Sequence, residues 1–77
     1  MMLEIYTKEN CIFCERAKKF FAEKGLTYTE KRLGVDFTAN QLKDRLGVAY
    51  FERVTMPQVF KDGKALGGYE DIIQLIW

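Results

Sequence analysis

The sequence predicts an α/β protein: a four-stranded mixed sheet flanked by three helices, in the order strand, helix, strand, helix, strand, strand, helix. Three observations predict it. Leu3 and Ile5 alternate with Glu4 and Tyr6 in the period-two pattern of a strand, and a helical apolar stripe follows directly. A second strand-like stretch after that helix supplies a βαβ crossover, which favours parallel pairing. Near the end, Lys61-Asp62-Gly63-Lys64 carries the Asp-Gly signal of a tight hairpin, which is antiparallel. A sheet with both kinds of pairing must be covered by its helices.

Seventy-seven residues fit one domain, near the size at which a single core becomes marginal without a staple. Six Phe, four Tyr and one Trp help to fill that core. Twelve basic and eleven acidic residues, interspersed, leave a net charge of +1 and give no support to a nucleic-acid or membrane-surface partner. Glu4, Lys8 and Glu9 interrupt any N-terminal apolar run, and the cluster Ile72 to Trp77 is too short to span a bilayer. Two cysteines with no signal pattern point to a reducing cytoplasm (the host's, if the source is viral). A Cys pair there is catalytic or redox-sensing rather than a permanent staple.

In chain order, Leu3 to Thr7 is the first strand and Thr7 to Asn10 a polar loop. Cys11-Ile12-Phe13-Cys14 then holds the only two cysteines. Helix one is expected from about Ile12 to Lys24, with Phe13, Ala17, Phe20 and Phe21 as its apolar stripe and Glu15 to Lys19 as an i,i+4 ion pair. Gly25 suits the left-handed position that ends it. Leu26 to Arg32 is the second strand, on the β-formers Thr27, Tyr28 and Thr29. Thr38 followed by Gln41 is a capping-box signature, so helix two covers Ala39 to Leu46 and stops at Gly47. Val48 to Val54 reads as an irregular connection. Pro57, the only proline, belongs at the first position of a strand that includes Val59 and Phe60. Ala65 and Leu66 form the fourth strand beyond the hairpin, and Ile72, Ile73, Leu75 and Ile76 form a short third helix.

The cysteine pair carries the chemistry. It stands where a strand runs into a helix N-terminus, where unpartnered amides and the summed peptide dipole favour a negative charge. Thiolate, the form that attacks disulfides, is stabilised there over thiol. Cys11 falls at or before the N-cap, exposed; Cys14 aligns with Ala17 and Phe21 at helical spacing and should turn inward. One exposed nucleophile and one sheltered thiol make a dithiol–disulfide couple. Two competing readings are plain buried cysteines, against which the strand-to-helix position argues, and half a zinc site, but zinc takes four ligands and the chain has no His and no third Cys. No resident metal is expected. Lys8 reads equally as a solvated lysine or as a cation near the thiolate or a substrate carboxylate. Gly67-Gly68-Tyr69-Glu70-Asp71 reads equally as a plain turn or as a helix start that receives a carboxylate.

Together, the Lys8 to Cys14 loop, Thr55-Met56-Pro57 and Gly67-Gly68-Tyr69-Glu70-Asp71 resemble the glutaredoxins of the thioredoxin superfamily, over essentially the whole chain. The resemblance implies a thioredoxin-like fold, a cis Met56–Pro57 bond facing the cysteines, and glutathione as co-substrate with no tightly bound cofactor. It makes Cys11 the nucleophile that is glutathionylated and Cys14 the resolving thiol. It assigns Lys8 to the glycyl carboxylate of glutathione and Phe13 to the place of the family's usual tyrosine. Thr55, Met56 and Pro57 become the stretch whose backbone pairs with the tripeptide, and Gly68, Glu70 and Asp71 the segment receiving its γ-glutamyl end. Ile12 and Phe13 depart from the family's common Cys-Pro-Tyr-Cys. The early stop at Trp77 makes this a compact member, similar to small viral and bacterial redoxins that serve ribonucleotide reductase.

The implied activity is thiol–disulfide exchange on protein disulfides and glutathione mixed disulfides by a cytoplasmic monomer, in electron transport and redox homeostasis. Two other readings stay open. One is a redoxin recycled by thioredoxin reductase that donates electrons to ribonucleotide reductase. The other is a protein whose protomers bridge a [2Fe–2S] cluster, which four thiolates from two chains would satisfy.

Overall fold

The strand β1 (Leu3–Thr7) is central to the sheet, and its pleat divides the core in two. In the computed structural model, which describes residues 1–77, Leu3 and Ile5 face one side of the sheet and Tyr6 the other. The first side is closed by α1 (Ile12–Glu23), whose Ala17 and Phe21 are fully buried against Leu3 and Ile5. β2 (Thr29–Arg32) returns parallel to β1, and α2 (Ala39–Leu46) covers the second side, where Leu42 joins Tyr6, Phe37 and Phe60. β3 (Gln58–Lys61) pairs antiparallel with β1 and β4 (Lys64–Gly67) with β3, giving the sheet order β2-β1-β3-β4. A single turn, α3 (Tyr69–Ile72), sets the buried Ile72 into the first core. The element order and the mixed sheet are those the sequence predicts, and no helix is long and apolar enough to cross a membrane.

The local signals act as their chemistry requires. The Thr38 hydroxyl accepts the Gln41 N–H at 3.2 Å while the Gln41 side chain accepts the Thr38 N–H at 2.8 Å. Asp62 and Gly63 both take positive φ, 51° and 82°, as a two-residue hairpin turn with the right twist demands. On the α2 side, the Arg45 guanidinium lies 4.0 Å over the Phe60 ring and donates to the Tyr6 hydroxyl and the Glu4 carboxylate at 2.6 and 2.8 Å.

Four expectations are corrected. The second strand starts at Thr29 rather than Leu26; Leu26 and Tyr28 instead pack into the core without joining the ladder. Helix one ends at Glu23, one residue early, with Lys24 as its cap. Phe13, placed in the buried stripe, is 45% exposed, and Cys14 fills the inward position at that turn. The third helix runs from Tyr69 to Ile72 and leaves Ile73, Leu75 and Ile76 exposed. The chain turns back there: the Trp77 indole N–H donates to the Ile72 carbonyl at 2.9 Å, and its ring meets Phe21 edge-on at 5.6 Å.

Candidate active site

Asn10, in the left-handed region at φ 52°, turns the chain out of the β1 loop and delivers Cys11 to the mouth of α1. Cys11 is the N-cap itself, with extended backbone, and its sulfur accepts the Cys14 N–H at 3.2 Å. That amide is one of the donors a helix start leaves without a partner, so the sulfur occupies the capping position normally taken by a hydroxyl or carboxylate oxygen. The two cysteines form a disulfide; Cys11 is half-buried and Cys14 only 2% exposed. The Met56 carbonyl oxygen stands 3.6 Å from the Cys11 sulfur, on the residue before the cis Met56–Pro57 bond.

A cleft of about 380 Å³, joined to the pair through Met56, collects seven of the eight residues assigned to glutathione by resemblance: Phe13, Thr55, Met56, Pro57, Gly68, Glu70 and Asp71. Met56, which lines the cleft, makes no backbone–backbone hydrogen bond within the chain, so its N–H and C=O have no main-chain partner. One Asp71 carboxylate oxygen accepts the Gly68 N–H at 2.9 Å. Gly67 sits at φ 107° against that same carboxylate, where a side chain would collide, and a Cβ on Gly68 would reach the Pro57 carbonyl at 3.4 Å. The paired glycines therefore let the start of α3 close on the strand before it.

Lys8, the eighth residue, is not in that cleft. It lines a wider one of about 560 Å³, shared with both Cys11 and Cys14 and with Lys18, Glu30 and Arg32. The wider cleft is walled by charged side chains, whereas the narrower one offers unpaired backbone beside the sulfur and is the better match to a peptide. Sequence reasoning assigns no role to Tyr69 or Gln58, which also line the narrower cleft; the Tyr69 ring stands 5.8 Å from that of Phe13. The aromatic inside the glycine-rich motif was the available signal for Tyr69; none marked Gln58.

The wall of the wider cleft is a network that joins three elements. The buried Thr7 hydroxyl donates to Glu30 at 2.8 Å, and the Lys18 ammonium bridges Glu30 at 3.2 Å and Glu15 at 2.8 Å. The expected partner of Glu15, Lys19, is thus replaced by Lys18, which can reach β2 as well. Burial pushes the Glu30 carboxyl up, but the Thr7 hydroxyl and the Lys18 ammonium outweigh it and hold the group below its ordinary value of 4.5. The Glu15 hydrogen bond, with Glu30 behind it, raises Lys18. Arg45 holds Glu4 low in the same way on the opposite face. A carboxyl depressed in the folded state adds stability above its unfolded pKa, and that stability is lost as pH falls through the folded value. The urea midpoint should accordingly drop on acidification from about pH 5 to about pH 3, and drop less in Glu30→Gln. Identical acid slopes for the two proteins would remove Glu30 from the account.

A Cys-x-x-Cys disulfide capping a helix, faced by a cis-proline loop on this four-stranded sheet, defines a thiol–disulfide oxidoreductase of the thioredoxin-like class. The glutaredoxin family model matches residues 3–66, and the chain belongs to the glutaredoxin family. The matched span holds both cysteines and Pro57 and stops before Gly67, so the Gly-Gly-Tyr segment lies just outside it. The chain is 38% identical over 73 residues to glutaredoxin 3 of Escherichia coli, covering 95% of this chain and 83% of that one. It is 40% identical over 70 residues to the hybrid peroxiredoxin hyPrx5 of Haemophilus influenzae, covering 91% of this chain but only 27% of that protein. The crystal structure of a buckwheat glutaredoxin–glutathione complex superimposes with a TM-score of 0.74 at 29% identity, covering 94% of this chain and 64% of that one.

Proposed function

We propose that this glutaredoxin is glutathione-dependent, with Cys11 as nucleophile and Cys14 as resolving thiol. The Cys11 thiolate attacks one sulfur of a protein disulfide, releasing the other as thiolate and forming a mixed disulfide. Cys14 then displaces the substrate thiol and closes the Cys11–Cys14 disulfide. Two glutathione molecules restore the dithiol: the first attacks Cys11, freeing Cys14, and the second leaves with the first as glutathione disulfide. On a glutathione mixed disulfide, Cys11 takes the glutathionyl group directly and Cys14 is not required.

The observation that carries this reading is the single cleft beside Cys11 in which unpaired Met56 meets Gly68, Glu70 and Asp71. Extended glutathione pairs its backbone with Met56 as an added strand would. Its γ-glutamyl ammonium meets Asp71, whose second oxygen is free of the Gly68 N–H, and the Phe13 and Tyr69 rings flank the cleft. Lys8 reaches the glycyl carboxylate from the wider cleft. The buckwheat complex supports the choice of ligand. We place this activity in the cytoplasm, carried out by a monomer of one domain, with protein disulfides as its substrates.

Recycling separates this reading from a redoxin served by thioredoxin reductase. With NADPH and either glutathione plus glutathione reductase or thioredoxin reductase alone, glutathione is expected to sustain turnover and the reductase alone to give about a tenth of it or less. The reverse ranking would overturn glutathione dependence and leave the oxidoreductase assignment standing.

A further inference from the structure

We infer that the Thr7–Glu30–Lys18 network, which shares the wider cleft with the cysteines, sets the reduction equilibrium of the pair: the Glu30 carboxylate favours the disulfide and the Lys18 ammonium favours the reduced form. Both are positioning residues that act through the charge on the Cys11 sulfur. The inference rests on the reading that Cys11 is a thiolate in the reduced protein and adds what tunes it. Cys11, Cys14 and Lys18 stand at i, i+3 and i+7, so they share one face at the start of α1. All three line the wider cleft together with Thr7 and Glu30.

Six charged side chains line that cleft: Lys8, Glu9, Glu15, Lys18, Glu30 and Arg32. Three of them are held in place. Thr7 is the one buried polar residue of the chain, and its hydroxyl donates to Glu30 at 2.8 Å. Lys18 then joins Glu30 at 3.2 Å and Glu15 at 2.8 Å, with the Lys18 and Glu30 side chains both partly buried. The side chains of Lys8, Glu9 and Arg32 make no hydrogen bond or ion pair, so no partner fixes them. A fixed, partly desolvated charge acts on its neighbours more strongly than one free in solvent. The held group has two carboxylates and one ammonium, so it is net negative. Glu30 lies below its ordinary value and Lys18 above its own, which keeps both charged across the neutral range.

The sign follows from the electron balance. Reducing the Cys11–Cys14 disulfide breaks its S–S bond while two glutathione thiols are oxidised to one glutathione disulfide. Two electrons enter the pair. Of the two protons the glutathiones give up, Cys14 takes one and solvent the other, because Cys11 stays thiolate. Reduction therefore places one negative charge at the mouth of α1. A fixed carboxylate in the same cleft opposes that charge and makes the pair a stronger reductant, whereas a fixed ammonium does the reverse. The helix amides stabilise the thiolate, and the net negative network holds that stabilisation back. A protein that passes electrons on to other disulfides needs this restraint, since a reduced form that is too stable does not give them up.

The test equilibrates the full chain with glutathione and glutathione disulfide at about pH 7, traps the thiols with acid and measures the reduced fraction. Relative to wild type, Glu30→Gln should raise the equilibrium constant for reduction about threefold, which is about 14 mV, and Lys18→Gln should lower it about threefold. Lys18→Arg keeps the charge and should stay at the wild-type value. In the Cys14→Ser background the Cys11 thiolate midpoint should move in parallel, down by about half a unit in Glu30→Gln and up by about half a unit in Lys18→Gln. Circular dichroism verifies that each variant is folded. Loss of a merely structural clamp would shift both Gln variants in the same direction, and that result would overturn the inference. So would the absence of a shift in either variant while the Cys11 midpoint stays well below about 8.5. A Cys11 midpoint at about 8.5, with neither variant shifted, would instead sink the thiolate reading beneath it.

Discussion

Replacing Cys11 by Ser lowers kcat/KM for every disulfide substrate by at least about a thousandfold, because a hydroxyl at neutral pH supplies almost no anionic nucleophile. The fold should survive, which makes the substitution informative. Serine is a preferred N-cap residue, and its oxygen can take the Cys14 N–H that the Cys11 sulfur now accepts at 3.2 Å. The Cys14→Ser protein behaves differently. It keeps the attacking sulfur and loses only the internal resolution step, so it retains release of glutathione from mixed disulfides while losing most reduction of protein disulfides. Steady-state assays of both variants on both substrate types check this, and equal, complete loss in the two would contradict the proposed division of labour.

Phe21→Ala should be the most destabilising single truncation in the core, by about 3–5 kcal/mol. Phe21 is fully buried where α1 crosses β1, and its ring meets those of Phe20, Tyr28 and Trp77 at 5.5–6.0 Å. Nothing nearby is free to refill the space, since Ala17, Ile5 and Ile72 are themselves completely buried. A chain of 77 residues carries about 4–12 kcal/mol of stability in total, so the loss removes a large share of it. Phe13→Ala, on the exposed face of the same helix, should cost about 1 kcal/mol or less. Urea titration monitored by circular dichroism distinguishes the two. A Phe21→Ala loss below about 1 kcal/mol would show that the first core is held by other contacts.

What the sequence made legible is what depends on local chemistry. Cys11 at a strand-to-helix junction, the Thr38–Gln41 pair and the Asp62-Gly63 turn each specify their backbone through neighbours within a few residues, and the structure realises all three. The grouping of Phe13, Met56, Gly68 and Asp71 came from motif resemblance rather than periodicity, and the narrower cleft assembles it from three separate parts of the chain. What escaped depends on contacts between distant elements. Glu15 pairs with Lys18 rather than with the expected Lys19, and Lys18 also reaches Glu30, twelve residues further on and in β2. Phe13 fits a helical stripe by spacing yet faces out, because Cys14 takes the inward place and Tyr69 supplies a partner at the surface. The third helix stops after one turn and Trp77 beyond it folds back onto Phe21, a contact with no local sequence signal.

The reactivity proposed for Cys11 rests on the amides at the mouth of α1 holding a negative charge on its sulfur. The Cys14→Ser protein leaves one thiol and keeps the residue-14 N–H, so ultraviolet titration of its thiolate, with alkylation rate followed over the same pH range, reports on Cys11 alone. A midpoint at least about one unit below the free-cysteine value of about 8.5, with fast alkylation at neutral pH, is the predicted outcome. A midpoint at about 8.5 with sluggish alkylation would contradict it, and the helix mouth would then be only the place where Cys11 sits.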